Sequence, residues 1–395
     1  MKAALLLLGI VSSIAVTAFA APGSDALYKA HDWFALRDRI AAGTVTDPLA
    51  LGATAIAFGE EEKARSHLDP LLGGKHAADA HGWLSYIAIR KGHYKTAALH
   101  IEAADPGANN PLAATFRDLP DQTTIATSPA TIGYRIFERK LFVPLSVNGH
   151  PSEFILDSDA NLSFVSETAA KQLGLIVRHS SATTTGALGA ASKLSVTTAD
   201  VTIGNTRLRD VAFMVLPDSA SVFATLAPQQ QGALGLPVLL AMERVSWNRD
   251  GQFRIGAGYD SSRPASPLAF DGADPIVRFS HSRMEFTGVF DTGAETTDLW
   301  PPFAAHFPKM LKEKGAAGMK HVRGFGGDGQ VPEVVLPYLD LDLGGETVKA
   351  KPAHVLTGKT TPNSAWLAGR LGIDLLRQAR IVTIDFRANR LQLTD

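Results

Sequence analysis

The sequence predicts a multidomain protein: an N-terminal domain of α-helical hairpins, followed by an all-β region made of two similar halves. Three observations lead there. From about Ser24 to Phe116 apolar residues recur at helical spacing with almost no strand pattern. Beyond Ile132 the pattern changes to short β-type runs broken by the turn pairs Asn148-Gly149, Gly204-Asn205, Asp250-Gly251 and Gly344-Gly345. Within that β-rich stretch one series of landmarks occurs twice in the same order.

Composition sets the outer bounds. The chain has 395 residues, 45% apolar and 19% charged, which suits a globular protein with two or three substantial cores. Its 38 Lys and Arg against 39 Asp and Glu give a net charge of -1, so no electrostatic footprint for nucleic acid exists. No cysteine is present, which excludes disulfides, thiolate chemistry and thiolate metal sites.

Lys2, the apolar stretch Ala3 to Ala18 and the small-residue site Ala18-Phe19-Ala20 have the layout of a cleavable secretory signal. Residues 1–20 are therefore expected to be removed after Ala20, with an uncleaved anchor as the alternative. No later segment is long and apolar enough to span a bilayer. A periplasmic or secreted location follows.

Residues 21–118 form the expected helical domain. Gly59-Glu60-Glu61-Glu62-Lys63-Ala64 recurs 33 residues later as Gly92-His93-Tyr94-Lys95-Thr96-Ala97, a period typical of stacked helical hairpins. With Trp83-Leu84 and Ile87-Ala88 ahead of it, the second copy resembles a tetratricopeptide repeat; an unrelated small bundle is the alternative. Such a domain could receive a protein partner. Residues 119–131, rich in Pro, Asp, Thr and Ser, read as a linker.

The two β halves are expected at 132–262 and 263–395. In the first, Phe154-Ile155-Leu156 runs into Asp157-Ser158-Asp159-Ala160. A Thr/Gly loop from Thr183 to Gly189 follows, then Gly232-Ala233-Leu234-Gly235-Leu236 and a closing hairpin from Val245 to Ile255. In the second, Phe286 to Phe290 runs into Asp291-Thr292-Gly293-Ala294. The loop Gly324-Phe325-Gly326-Gly327, the segment Leu371-Gly372-Ile373 and the hairpin from Ile381 to Leu393 follow. Repetition in order points to duplication.

In that context the region from about Ile132 to Thr394 resembles the retropepsin-like and pepsin-like aspartic proteases, in a bacterial form with both lobes on one chain. The resemblance implies a two-lobed, acid-protease-like, pseudo-twofold duplicated barrel that hydrolyses extended polypeptides. Asp157 and Asp291 would be the catalytic pair, sharing one proton because two adjacent carboxylates cannot both ionise cheaply. Ser158 and Thr292 would tie the two loops together, and Gly293 would permit close backbone approach. Leu234-Gly235-Leu236 and Leu371-Gly372-Ile373 would pack beneath them. Gly186, Gly189, Gly324 and Gly326 would lie in mobile flaps over the substrate. The resemblance implies neither a metal nor a cofactor.

Asp159 departs from the pattern, which has glycine there. Its carboxyl adds a third acid, and three outcomes follow: a working acid protease, a lobe that binds peptides without cleaving them, or a new role for Asp159. Asp374 reads as the cap of the helix that begins at its position. His76 with His81 and His93 with His100 lack the i, i+4 spacing of a helical metal pair. No Gly-X-Ser-X-Gly occurs, and no Lys-Ser/Thr follows the glycine loop at 324–327, so neither a nucleophile-elbow hydrolase nor a nucleotide site is supported.

Overall fold

The computed structural model describes residues 22–185, 191–324 and 327–395. The expected signal at 1–20 and the flap glycines Gly186, Gly189 and Gly326 lie outside the described residues.

Among the described residues seven α-helices fill the N-terminal region, from Ser24–Lys29 to Pro111–Arg117. Their starts follow local chemistry. Asp32 and Asp47 accept from the amides of Ala35 and Ala50, and Asn110 accepts from Leu112 and Ala113. Pro48 and Pro111 take the first helical position, where a missing N–H costs nothing. Gly59 and Gly92, the two glycines of the 33-residue repeat, both adopt φ of 71°. Each ends one helix and lets the chain reverse: Pro48–Ala57 into Glu61–Leu68, and Ala77–Arg90 into Tyr94–Ala104.

In the first β half, Lys140–Val147 and His150–Leu156 form a hairpin around Asn148-Gly149. His150–Leu156 then runs parallel to Gly232–Leu234, which is antiparallel to Ser163–Ser166, which is parallel to Thr206–Leu216. The second half repeats these senses. Asp274–His281 and Met284–Phe290 form a hairpin. Met284–Phe290 is parallel to Gly369–Leu371, itself antiparallel to Asp298–Leu299, which is parallel to Ala353–Leu356. Arg178–Thr185 pairs with Ala191–Ile203, and Ala316–Gly324 pairs with Gly327–Leu336.

Residues 119–131, expected as a linker, carry strand structure: Thr123–Ala126 pairs along Thr206–Leu216, and Ala130–Gly133 begins pairing along Gln252–Ile255. Both are edge strands, where a polar stretch bounded by Pro120 and Pro129 forfeits no internal ladder bond. Arg244–Asn248 of the first half pairs with Ile381–Asp385 of the second, so the closing hairpins of both halves form one sheet.

The helices pack on both halves. Ala88, Ile89, Tyr94 and Phe116 join Leu162, Leu194, Val196 and Ala212 in one apolar cluster. Trp33, Ile56, Leu84 and Ile87 join Ala269, Ile276 and Val289 in another. Where the second cluster meets solvent, the buried carboxylate of Asp271 accepts from His31 Nδ1 (2.6 Å), Trp33 Nε1 (3.0 Å) and Trp366 Nε1 (2.7 Å).

Candidate active site

Asp157 and Asp291 each leave the end of a strand, and the neighbouring strand fixes each in the same way. Asp157 N–H donates to Leu234 O and Asp291 N–H to Leu371 O, both at 3.0 Å. Each carboxylate then closes its own turn. Oδ1 of Asp157 accepts from the amides of Asp159 and Ala160 at 3.1 Å; Oδ1 of Asp291 accepts from Gly293 at 2.8 Å and Ala294 at 2.9 Å. Two donors on one oxygen orient each carboxyl, and the other oxygen of Asp291 faces Arg370.

The residue after each aspartate locks the loops to one another. Ser158 N–H donates to Thr292 Oγ1 and Thr292 N–H to Ser158 Oγ, both at 3.0 Å. The two hydroxyls donate onward to Phe290 O and Leu156 O, both at 2.7 Å. Ser158 and Thr292 are fully buried, so each bond replaces one that water cannot offer. Below them, a Cβ on Gly235 would come within 2.6 Å of Ala160 O, and one on Gly372 within 2.9 Å of Ala294 O. Only glycine leaves Leu236 N–H free to reach Ala160 O (2.8 Å) and Ile373 N–H to reach Ala294 O (2.9 Å).

Gly293 is required for space rather than for an unusual φ. A Cβ there would sit 2.5 Å from Cγ of Asp157, so the second loop packs directly on the first carboxyl. Asp159, at the matching place, also avoids positive φ, and its amide makes the bond that Gly293 makes in its own loop. The departure from glycine therefore leaves the loop's backbone hydrogen bonding intact. Its cost lies in the side chain: Oδ1 of Asp159 is buried and has no hydrogen-bond partner among the described residues.

Burial dominates the electrostatics. It raises Asp157 to about 7, with the charge of Asp291 adding to the shift. Asp291 is also raised by burial, opposed first by the Arg370 guanidinium and then by its two amide donors. Asp159 is pushed well above the ordinary carboxyl range by burial and by Asp274, Asp291 and Asp157. Burial also raises Asp274 to about 7, and Asp271 adds to that shift. Four carboxyls in one region are thus shifted upward, burial being the first cause at each.

Sequence reasoning missed the cations. Arg370 places Nε 3.7 Å from Asp291 Oδ2 and Nη2 3.2 Å from Asp298 Oδ2. Asp298 also pairs with Lys320, whose Nζ reaches Thr296 Oγ1 at 2.9 Å. The available signal was a charged residue inside the short apolar strand Gly369–Leu371. Asp374 is corrected as well: Gly372 is the N-cap of that helix, and Asp374 Oδ1 instead accepts from Thr297 Oγ1 at 2.8 Å. Thr297 Oγ1 in turn accepts from the Gly372 amide at 3.0 Å, so Asp374 braces the Asp291 loop. Of the histidines, His81 and His100 are half-buried and face each other at 2.9 Å. Gly324 ends the strand Ala316–Gly324, which lies against Ser221–Phe223 of the first half.

Residues 143–238 match the family model described as aspartyl protease. That span includes the Asp157 loop and Gly235, so the chain carries an aspartyl protease-like domain. No curated protein matches the chain.

Proposed function

We propose that the protein is an exported aspartic-type endopeptidase that cleaves extended polypeptides between its two β halves, with Asp157 and Asp291 as the catalytic pair. The observation that carries this reading is the reciprocal bonding of Ser158 and Thr292, which ties an aspartate loop of one half to an aspartate loop of the other. The repeated strand pairings support a duplicated, two-lobed origin, and the aspartyl protease match supports the class of chemistry.

In this reading one carboxylate takes a proton from a water while the protonated partner donates to the scissile carbonyl oxygen. The glycine loops at Gly186, Gly189, Gly324 and Gly326 and their flanking strands would pair with the main chain of an extended substrate, which favours unfolded polypeptide. Export rests on residues 1–20. The helical region, with its repeated hairpins, is a further surface on which a protein partner could dock.

Replacing Asp291 by Asn is expected to abolish cleavage of a denatured protein at acid pH; full retained activity would overturn the assignment. The unpartnered Oδ1 of Asp159 favours one alternative, a protease fold that binds peptides without cleaving them. Absence of hydrolysis across acid to neutral pH with peptide binding intact, and gain of hydrolysis in Asp159→Gly, would select it.

A further inference from the structure

We propose that Arg370 is a positioning residue that gives the two aspartates different roles, holding Asp291 as the carboxylate and leaving the shared proton on Asp157. This rests on reading the pair as an acid–base dyad. The contacts of the two aspartate loops are alike. Both aspartates end a strand, both accept from two amides on Oδ1, and both sit over a hydroxyl bonded across the halves. Nothing in those contacts distinguishes acid from base.

The adjoining strands do distinguish them. Arg370 pairs with Val289 in the register that Ala233 holds against Ile155, and Asp298 lies opposite Arg370 where Phe164 lies opposite Ala233. At these two places the first half is apolar and the second carries an ion pair. Arg370 therefore approaches Asp291, at 3.7 Å, while no salt bridge reaches Asp157 among the described residues. Among the described residues its Nε has no hydrogen-bond partner, and Asp291 Oδ2 lies 3.7 Å from it.

The charges facing Asp291 can be followed element by element. Arg370 comes from Gly369–Leu371, Asp298 from Asp298–Leu299, Asp157 and Asp159 from the opposite loop, and Asp274 from the start of its hairpin. Lys320, from Ala316–Gly324, also pairs with Asp298, so Asp298 has a second cation and Arg370 is shared between Asp298 and Asp291. Burial raises both aspartates, but the guanidinium counts heavily at Asp291 and least among the causes at Asp157. The chemical step is then assigned. Water loses a proton to Asp291, its oxygen bonds to the carbonyl carbon, and the C=O electron pair takes the proton of Asp157 to give a gem-diol.

The test is a carboxyl-carbon NMR titration of the full chain labelled at aspartate, with signals assigned through Asp157→Asn and Asp291→Asn. In the wild type Asp291 is expected to titrate below Asp157 by about one pH unit or more, the size of shift a cation this close produces. Arg370→Met should raise the Asp291 midpoint by about one unit and close the gap, whereas Arg370→Lys should preserve the order. Lys320 still pairs Asp298 in both variants. Equal midpoints in the wild type, or Asp157 titrating first, would overturn the proposal without requiring any Arg370 variant to fold. An unmoved Asp291 in Arg370→Met would do the same. Ordered midpoints without peptide hydrolysis would keep the proton assignment and remove the protease reading; hydrolysis without ordered midpoints would do the reverse.

Discussion

At the position where the aspartate loops differ, Asp159 and Gly293 face different demands. Gly293 lies flat on the Asp157 carboxyl, so Gly293→Ala is expected to displace Asp157, reducing peptide turnover by about 100-fold or more and stability by about 1–3 kcal/mol. Turnover within about twofold of wild type would contradict that packing. Asp159 fits sterically but buries an unpartnered oxygen. A carboxyl whose pKa is higher in the folded state binds more protons folded than unfolded, so its stabilising contribution is complete below the unfolded value and is lost as pH rises through the folded one. Asp157 and Asp274, raised from 3.8 to about 7, set that window, and the raised Asp159 adds to it. Tm should therefore fall between about pH 4 and pH 7. Asp159→Gly should flatten the fall, because the entropic cost of glycine is the same at every pH. Parallel Tm curves for wild type and variant would refute the assignment of that slope to Asp159.

Among the elements, the crossed hydroxyls carry the most information for their size. Removing either one strips two buried groups of their partners: Ser158→Ala leaves Thr292 N–H and Phe290 O, and Thr292→Ala leaves Ser158 N–H and Leu156 O. Each should cost about 2 kcal/mol or more in urea unfolding. Thr292→Ser should be nearly neutral, since Ser158 already makes the mirror set with a serine. Because both alanine variants break one network, the double variant should lose less than the sum of the two. Additive losses would mean that the hydroxyls act independently.

Across the whole molecule, the helices and the β halves share cores. Asp271 binds donors from His31, Trp33 and Trp366, and Arg90 lies over the ring of Phe270 with Nη2 donating to Ile56 O at 2.6 Å. Asn389 Nδ2 also donates to Phe58 O, near the opposite end of the chain. Unfolding is therefore expected to be a single transition, with tryptophan fluorescence and far-ultraviolet circular dichroism coinciding. Asp271→Ala, which leaves the buried Trp33 Nε1 without its acceptor and removes that of the half-buried His31 and Trp366, should lower stability by about 1–3 kcal/mol. A separate early transition of the helices would show that the two regions fold independently.

Asp157, Asp291, the hydroxyls beside them and the glycines beneath were expected from the sequence through the family resemblance, and the structure joins them by local contacts: a strand end, a tight turn, a contact with room only for hydrogen. The glycine turns at 59 and 92 are local in the same sense. The edge strands at 123–126 and 130–133 were hidden, since a polar segment becomes a strand only when a partner's unpaired edge is within reach. Arg370 was hidden too: its meaning depends on Asp291, Asp298 and Lys320, which lie far from it in sequence and adjacent to it across strands. Which residues form the loops was therefore readable from the chain, but which charges surround them was decided by tertiary structure, because Coulomb interactions depend on distances that only the completed sheets define.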